Sequence, residues 1–238
     1  MAEVVHSASV RVGPLQSFGR FAMLALVAGF LFACTTDATR AVVALESVVI
    51  VYANEEGSAH GSGVVIGQDM ILTAAHVTNG RDTFITFRDG TSEWGEEIDA
   101  SNAPKMPAPD LALVNAPTGD REHVSVRCTP VEVGEPLFIA GHPVVSRWVV
   151  MWGNVAATDL LEDSDRQSIG DEGSYYIAQI PVAPGSSGGP VFDIDGNLVG
   201  IATALLNAPQ SMGFATIAVP TSLAIIQSPK TICEFLGK

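Results

Sequence analysis

Positive charge is scarce in this chain. Twelve Lys and Arg stand against 26 Asp and Glu over 238 residues, a formal net charge of −14. Nucleic-acid binding rests on Lys and Arg neutralising phosphates, so this balance excludes a nucleic-acid partner. The acidic residues are spread along the chain and serve solubility rather than forming a tail. Long apolar runs are also missing. The N-terminal run Phe21–Ala33 has 13 residues, too short to span a bilayer and the right length for the core of a signal peptide. The acidic group Asp159, Glu162, Asp163, Asp165, Asp171 and Glu172 lacks the Gly and closing Glu of a calcium loop, so it reads as a solvated loop and no metal site is expected. No internal repeat or low-complexity tract is present. Histidine is limited to positions 6, 60, 76, 123 and 142, with none after residue 142.

What is present suits one compact unit of about 200 residues behind an N-terminal extra. From about Ser47, short apolar segments alternate with turn residues, which predicts an all-β barrel or sandwich. The first group is Val48–Tyr52, Gly63–Ile66, Met70–Thr73, Thr83–Arg88, Glu96–Asp99 and Leu111–Val114. The second is Leu137–Ala140, Trp148–Ala156, Tyr175–Ile180, Pro190–Ile194, Leu198–Ala204 and Gly213–Val219. Asp89-Gly90 and Asp195-Gly196-Asn197 mark hairpins. Residues 115–134, with Pro117, Gly119, Pro130 and Gly134, read as the connection between the halves. Val219-Pro220-Thr221-Ser222 predicts the start of a helical C-terminus, and Ser228-Pro229 a second cap. The expected organisation is a leader over 1–33, a linker over 34–44 and one domain over 45–238. Within the domain, the first half covers about 45–116, the second about 135–220 and a C-terminal helix about 221–236.

Three segments carry chemistry. Gly185-Ser186-Ser187-Gly188-Gly189-Pro190 offers a serine among glycines, Leu72-Thr73-Ala74-Ala75-His76-Val77 a histidine behind small residues, and Pro109-Asp110-Leu111-Ala112-Leu113-Val114 an acid opening a strand. A serine hydroxyl is a poor nucleophile alone and needs an adjacent base and a place for the oxyanion. The hexapeptide also satisfies the G-x-S-x-G elbow of α/β-hydrolases, but that fold needs its histidine after the serine, and here none follows Ser187. In the order His, Asp, Ser the three segments resemble the trypsin-like (chymotrypsin-fold) serine proteases. The resemblance covers roughly residues 45–225. It is nearest to the bacterial HtrA (Deg) type, on Gly61-Ser62-Gly63-Val64-Val65-Ile66, Gly196–Ala204 and Met212–Pro220. That type usually continues into a C-terminal PDZ domain. With only 18 residues after Pro220, none is expected here, which puts peptide-triggered oligomer switching in doubt.

The resemblance implies two six-stranded-type β-barrels of the chymotrypsin kind with a short C-terminal helix. It implies His76 as general base, Asp110 as its orienting acid with Asp99 as runner-up, and Ser187 as nucleophile in preference to Ser186. The N–H groups of Gly185 and Ser187 would form the oxyanion hole. Ser186 stands where many family members carry an Asp that pairs with a newly cut N-terminus, so activation by N-terminal trimming is not expected. Ile180, Pro181, Val182 and Ala183 would form one side of the substrate pocket, and Ala202, Thr203, Ala204 and Phe214 the other. Backbone groups of Ala202–Ala204 would pair with substrate as an added strand. The pocket segments lack Asp and Glu, so cleavage after small or medium aliphatic residues is expected. No cofactor is needed, and the partners are protein or peptide substrates. His142 reads as a turn residue, His60 and His123 as loop residues, and Trp148 and Trp152 as packing residues.

The leader ends in Leu31, Phe32, Ala33 and Cys34, which resembles a bacterial lipoprotein signal that would lipidate Cys34. Simple secretion or an uncleaved anchor is a second reading, and a cytoplasmic protein a third. The expected place is the cell envelope, with the membrane touched only through that anchor. In some trypsin relatives a disulfide ties the inter-barrel connection to the last helix, which would pair Cys128 with Cys233; two separate buried thiols remain the alternative. The functional expectation is a serine endopeptidase of envelope quality control or processing. A low-turnover binding or chaperone-like module on the same fold is the rival, and an esterase-like acyl transferase a third reading.

Overall fold

The structure, a computed structural model, describes residues 40–53, 60–101, 109–144, 146–158, 174–211 and 216–238, with the backbone alone for 208–211 and 216–220. Cys34 and Phe214, both singled out above, lie outside the described residues, as does the acidic group 159–172.

Twelve strands are described, and they close into two barrels. The first contains β1 (Val48–Tyr52), β2 (His60–Gly67), β3 (Met70–Thr73), β4 (Thr83–Thr86), β5 (Ser92–Ala100) and β6 (Ala112–Asn115), hydrogen-bonded in the order β1-β2-β3-β6-β5-β4. Pairing of β1 with β4, Val51 opposite Ile85, closes it. The second contains β7 (Pro136–Gly141), β8 (Val149–Ala157), β9 (Tyr175–Gln179), β10 (Pro190–Asp193), β11 (Leu198–Ser211) and β12 (Thr216–Gln227), in the order β10-β11-β12-β9-β8-β7. Pairing of β10 with β7, Phe192 opposite Phe138, closes that one. Full closure leaves neither sheet a long unpaired edge.

Alternation of side chains explains the cores. Val49, Val51, Val65, Ile71, Ile85, Phe87 and Val114 fill the first barrel. Leu137, Ile139, Val155, Tyr176, Ala178, Val191 and Val199 belong to the core of the second. Residues of the opposite parity on β1, β2 and β3 (Val48, Val64, Leu72) meet Phe138, Phe192, Leu198 and Ile201 between the barrels. β1 is therefore apolar on both faces, while β5, which reads Ser-Glu-Trp-Gly-Glu-Glu-Ile-Asp-Ala, is mostly exposed. The Asp89-Gly90 hairpin forms with Gly90 at φ +85. Asp89 Oδ1 accepts from Thr91 N and Oγ1, which lowers the carboxyl to about 2.

Three boundaries differ from the sequence expectation. Residues 40–46 are helical although 34–44 was expected to be linker, because Ala41, Ala44 and Leu45 line up on one face and bury in the inter-barrel core. The C-terminal helix does not begin near 221. β12 continues through Gln227, with Leu223 opposite Gln179 on β9 and Ala224 opposite Leu205 on β11. The run Leu223-Ala224-Ile225-Ile226 thus completes the second barrel, and the helix is Pro229–Phe235, with Ser228 Oγ accepting from Thr231 N as its cap. Trp152 is half exposed over Phe138 rather than packed inside. Cys128 and Cys233 are disulfide-bonded, Cα atoms 5.8 Å apart, tying the inter-barrel connection to the last helix.

Candidate active site

β3 ends at Thr73, and the chain turns through Ala74 into the short helix Ala75–Thr78 that carries His76. Ala74 and Ala75 are buried, and their small side chains let the turn lie close against the barrel. Asn79 closes the helix in the left-handed region, φ 52, a conformation Asn tolerates better than most residues.

Asp110 precedes β6 and grips His76 with both oxygens. Oδ1 accepts from the His76 backbone N–H at 2.9 Å, and Oδ2 lies 2.6 Å from Nδ1. A carboxylate oxygen accepts, so Nδ1 carries a hydrogen, and in the neutral imidazole the lone pair is then on Nε2. Leu111 and Ser101 exchange backbone and hydroxyl bonds that hold Asp110's strand in register. Asp99 instead sits exposed on β5, opposite Leu113.

Ser187 is delivered from the other barrel. Its carbonyl accepts from Ser62 N at 2.7 Å. Gly188, at φ +78, lies so close to the first barrel that a Cβ there would fall 2.2 Å from both Ser62 O and Thr73 Oγ1 and 3.0 Å from Ala74 N. The loop therefore abuts the strand end that leads into His76. A Cβ at Gly61 would lie 2.7 Å from the Val77 methyls and 2.8 Å from Ser187 O. Ser186 is buried, and its Oγ accepts from Ala183 N at 3.3 Å, whereas Ser187 is partly exposed.

Every buried backbone group needs a partner. Pro184 O accepts from Val144 N, Gly185 O from Ser62 Oγ, Ser186 O from Gly189 N and Ser187 O from Ser62 N. Ser186 N donates to Ala183 O and Gly188 N to Ala202 O. Among the described residues, the N–H groups of Gly185 and Ser187 alone in this run have no acceptor. Gly185 stands at φ +94 against His142 O, where a side chain would be both strained and blocked.

A cavity of about 480 Å³ opens beside Ser187, lined by Val182, Ala183, Pro184, Ser187, Ala202, Thr203, Ala204, Leu205 and Asn207 among others. Two expected pocket residues are misplaced. Ile180 is fully buried in the second barrel's core, its N–H bonded to Ser222 O, and Pro181 is exposed outside the cavity. Both precede the turn that brings the chain to the pocket, so the wall starts at Val182. Ala202 has already committed its backbone, N–H to Gly189 O and carbonyl to Gly188 N. Neither backbone group of Ala202 is therefore free for the added-strand pairing expected of Ala202–Ala204. Leu205 and Asn207, missed in the sequence because β11 was expected to end at Ala204, extend the pocket.

The other histidines separate. His123 is exposed. His60 lies at the start of β2 rather than in a loop, its Nε2 donating to His142 O at 3.0 Å. His142 follows β7 and is fully buried, its N–H donating to Ser62 Oγ and its Nδ1 accepting from Trp148 N. Burial, with the charges of His60 and Arg147 nearby, pushes its pKa down to about 3. Ser62 itself went unremarked in the sequence except as part of Gly61-Ser62-Gly63. The only signal was a hydroxyl between two glycines.

Two closed barrels with a His–Asp pair at the edge of one and a glycine-flanked serine from the other define a trypsin-like architecture. The chain belongs to the trypsin-like peptidase domain family, whose model matches residues 61–201. It is 32% identical over 183 residues to a "Probable periplasmic serine endoprotease DegP-like" of Brucella suis biovar 1 (strain 1330), covering 72% of this chain and 32% of that protein. A protein of the same name from Halomonas elongata is 26% identical over 177 residues, covering 72% and 35%. The chain thus spans about a third of the length of these curated relatives. Among solved structures, "HtrA-type protease AlgW with tripeptide" superposes with a TM-score of 0.68 at 22% identity, covering 84% of this chain and 62% of that one. The serine endoprotease from Yersinia pestis gives 0.63 at 21%, covering 84% and 65%.

Proposed function

We propose that the chain is a serine endopeptidase of the HtrA/DegP type working in the bacterial cell envelope. Ser187 Oγ attacks the peptide carbonyl, and His76 Nε2 takes its proton. Asp110 holds the imidazole by Nδ1 and stabilises the imidazolium as it forms. The tetrahedral oxygen is received by the N–H groups of Gly185 and Ser187. Collapse gives an acyl-enzyme and hands the proton from His76 to the leaving amine. Water, activated by the same imidazole, then releases the acid.

One observation carries this reading: in a loop where every carbonyl from 184 to 187 has a donor, the two donors without an acceptor belong to Gly185 and Ser187. The His76–Asp110 pair, with Nδ1 taken, supports it from the other barrel. Among the described residues the cavity beside Ser187 has no carboxylate in its lining, which favours small or medium aliphatic residues before the scissile bond. Protein or peptide substrates follow from the activity. The relatives named periplasmic favour an exported protein, which Cys34 would anchor through lipid.

A fluorophosphonate probe tests the proposal. Labelling of the wild type, lost in Ser187→Ala and in His76→Ala, is expected. A wild type that resists labelling and cleaves no aliphatic peptide overturns the enzyme in favour of a binding module.

A further inference from the structure

Ser62 lies on β2 of the first barrel, fully buried, opposite Ile50. Its bonds nevertheless run to the loop of the second. Its N–H donates to Ser187 O at 2.7 Å, and its Oγ donates to Gly185 O at 2.8 Å. Oγ also accepts from His142 N at 3.0 Å, and Thr73 Oγ1 donates to Ser62 O at 2.7 Å. The direction of the hydroxyl proton is fixed by these neighbours. A backbone N–H only donates and a carbonyl only accepts, so Oγ must accept from His142 and donate to Gly185.

We infer that Ser62 is a positioning residue for the oxyanion site, aiming the Gly185 and Ser187 N–H groups by holding the carbonyls of the same two residues. The inference rests on the proteolytic reading above. Its physical basis is the glycine. At φ +94 Gly185 has no intrinsic preference that would hold it, so its orientation is set by what its two flanking peptides bond. Val144 N pins the peptide before it through Pro184 O, and Ser62 Oγ pins the peptide after it. Without the hydroxyl, Gly185 O and the His142 N–H both lose their partner, and the 185–186 peptide is held only by Ser186 N–H to Ala183 O, so the glycine is less firmly fixed. Ser62 touches no substrate in this scheme. It acts through the loop, and it links barrel one, which carries His76, to the donors carried by barrel two.

Ser62→Ala and Ser62→Cys in the full chain supply the test, read with an aliphatic peptide nitroanilide and the matching peptide aldehyde, whose hemiacetal oxygen occupies the oxyanion position. Misaiming one donor predicts a fall in kcat of about 10–100-fold for Ser62→Ala with KM within about twofold. Aldehyde affinity should fall by the same factor, and Ser62→Cys should be intermediate because its thiol is a weak donor. A merely structural Ser62 would lower Tm and the fraction of sites titrated by fluorophosphonate. It would leave kcat per titrated site and aldehyde affinity unchanged, and that result overturns the inference. Should Ser62→Ala not fold, Ser62→Cys carries the same comparison. If the wild type is labelled and Ser62→Ala matches it in every constant, only the positioning role falls; a wild type without labelling removes the proteolytic reading and this role together.

Discussion

Acidification should loosen the fold through His142, and the size of the effect follows from its burial. The side chain is fully enclosed between β7 and Trp148, with Nδ1 taken by Trp148 N, ring centroids 4.4 Å apart. Burial, then the neighbouring His60 and Arg147, lower its pKa from 6.5 to about 3, against a small opposing contribution from the Val49 backbone. The unfolded chain therefore takes up a proton below about pH 6.5 that the folded chain refuses until about pH 3. Stability falls as pH falls across that window, by roughly 1.4 kcal/mol for each pH unit. Between about pH 7.5 and 4.5 the loss from this one group is about 3 kcal/mol, a large share of a typical domain's ~5–15 kcal/mol. Urea unfolding of the wild type and of His142→Asn, measured at matched pH values, isolates the contribution, because carboxylates titrating in both proteins cancel. The difference in unfolding free energy between the two should change by about 2–3 kcal/mol over that range, the wild type losing more. Curves that stay parallel from neutral to acid pH would refute the buried, neutral assignment.

Asp110→Asn should lower kcat/KM by about 10³–10⁴, since an amide beside Nδ1 favours the wrong tautomer; steady-state peptide hydrolysis measures it, and a loss under tenfold contradicts the role. Gly188→Ala should cost at least about 3 kcal/mol or prevent folding, because the new methyl would lie 2.2 Å from Ser62 O and Thr73 Oγ1 at φ +78; a urea melt within 1 kcal/mol of wild type, about the scatter of neutral substitutions, speaks against so tight a barrel contact. Reducing the Cys128–Cys233 bond, which links positions 105 apart, should remove up to about 4–5 kcal/mol on the chain-entropy account; a Tm unchanged by reductant argues against it.

Much of the fold was legible where turn chemistry punctuates it. Asp89-Gly90 and Asp195-Gly196 lie between paired strands because Gly takes φ +85 and +83 there. The segments holding His76 and Asp110 could be read from local pattern, a histidine behind small residues and an acid opening an apolar strand. The end of the second barrel could not. Pro220 argued for a strand stop, yet β12 carries it opposite Asn207 next to a register shift in β11, where a missing N–H is tolerated. The pocket was misjudged for a related reason. Counting back from Ser187 fixes distance along the chain but not the turn that sends Ile180 into the core and Val182 toward the cavity. Ser62 and His142 were illegible because their role lies in bonds to Gly185 and to each other, 123 and 80 residues away. Local sequence carries no record of such pairings.

The central claim is that a glycine-flanked serine and two inward N–H groups meet a His–Asp pair across the barrel boundary. A crystal structure with an aliphatic peptide boronate addresses it directly. The account predicts a covalent bond from boron to Ser187 Oγ, with one boronate oxygen about 2.7–3.1 Å from both Gly185 N and Ser187 N and His76 Nε2 beside the adduct. Boron bonded elsewhere, or an adduct oxygen that neither backbone donor reaches, would contradict it.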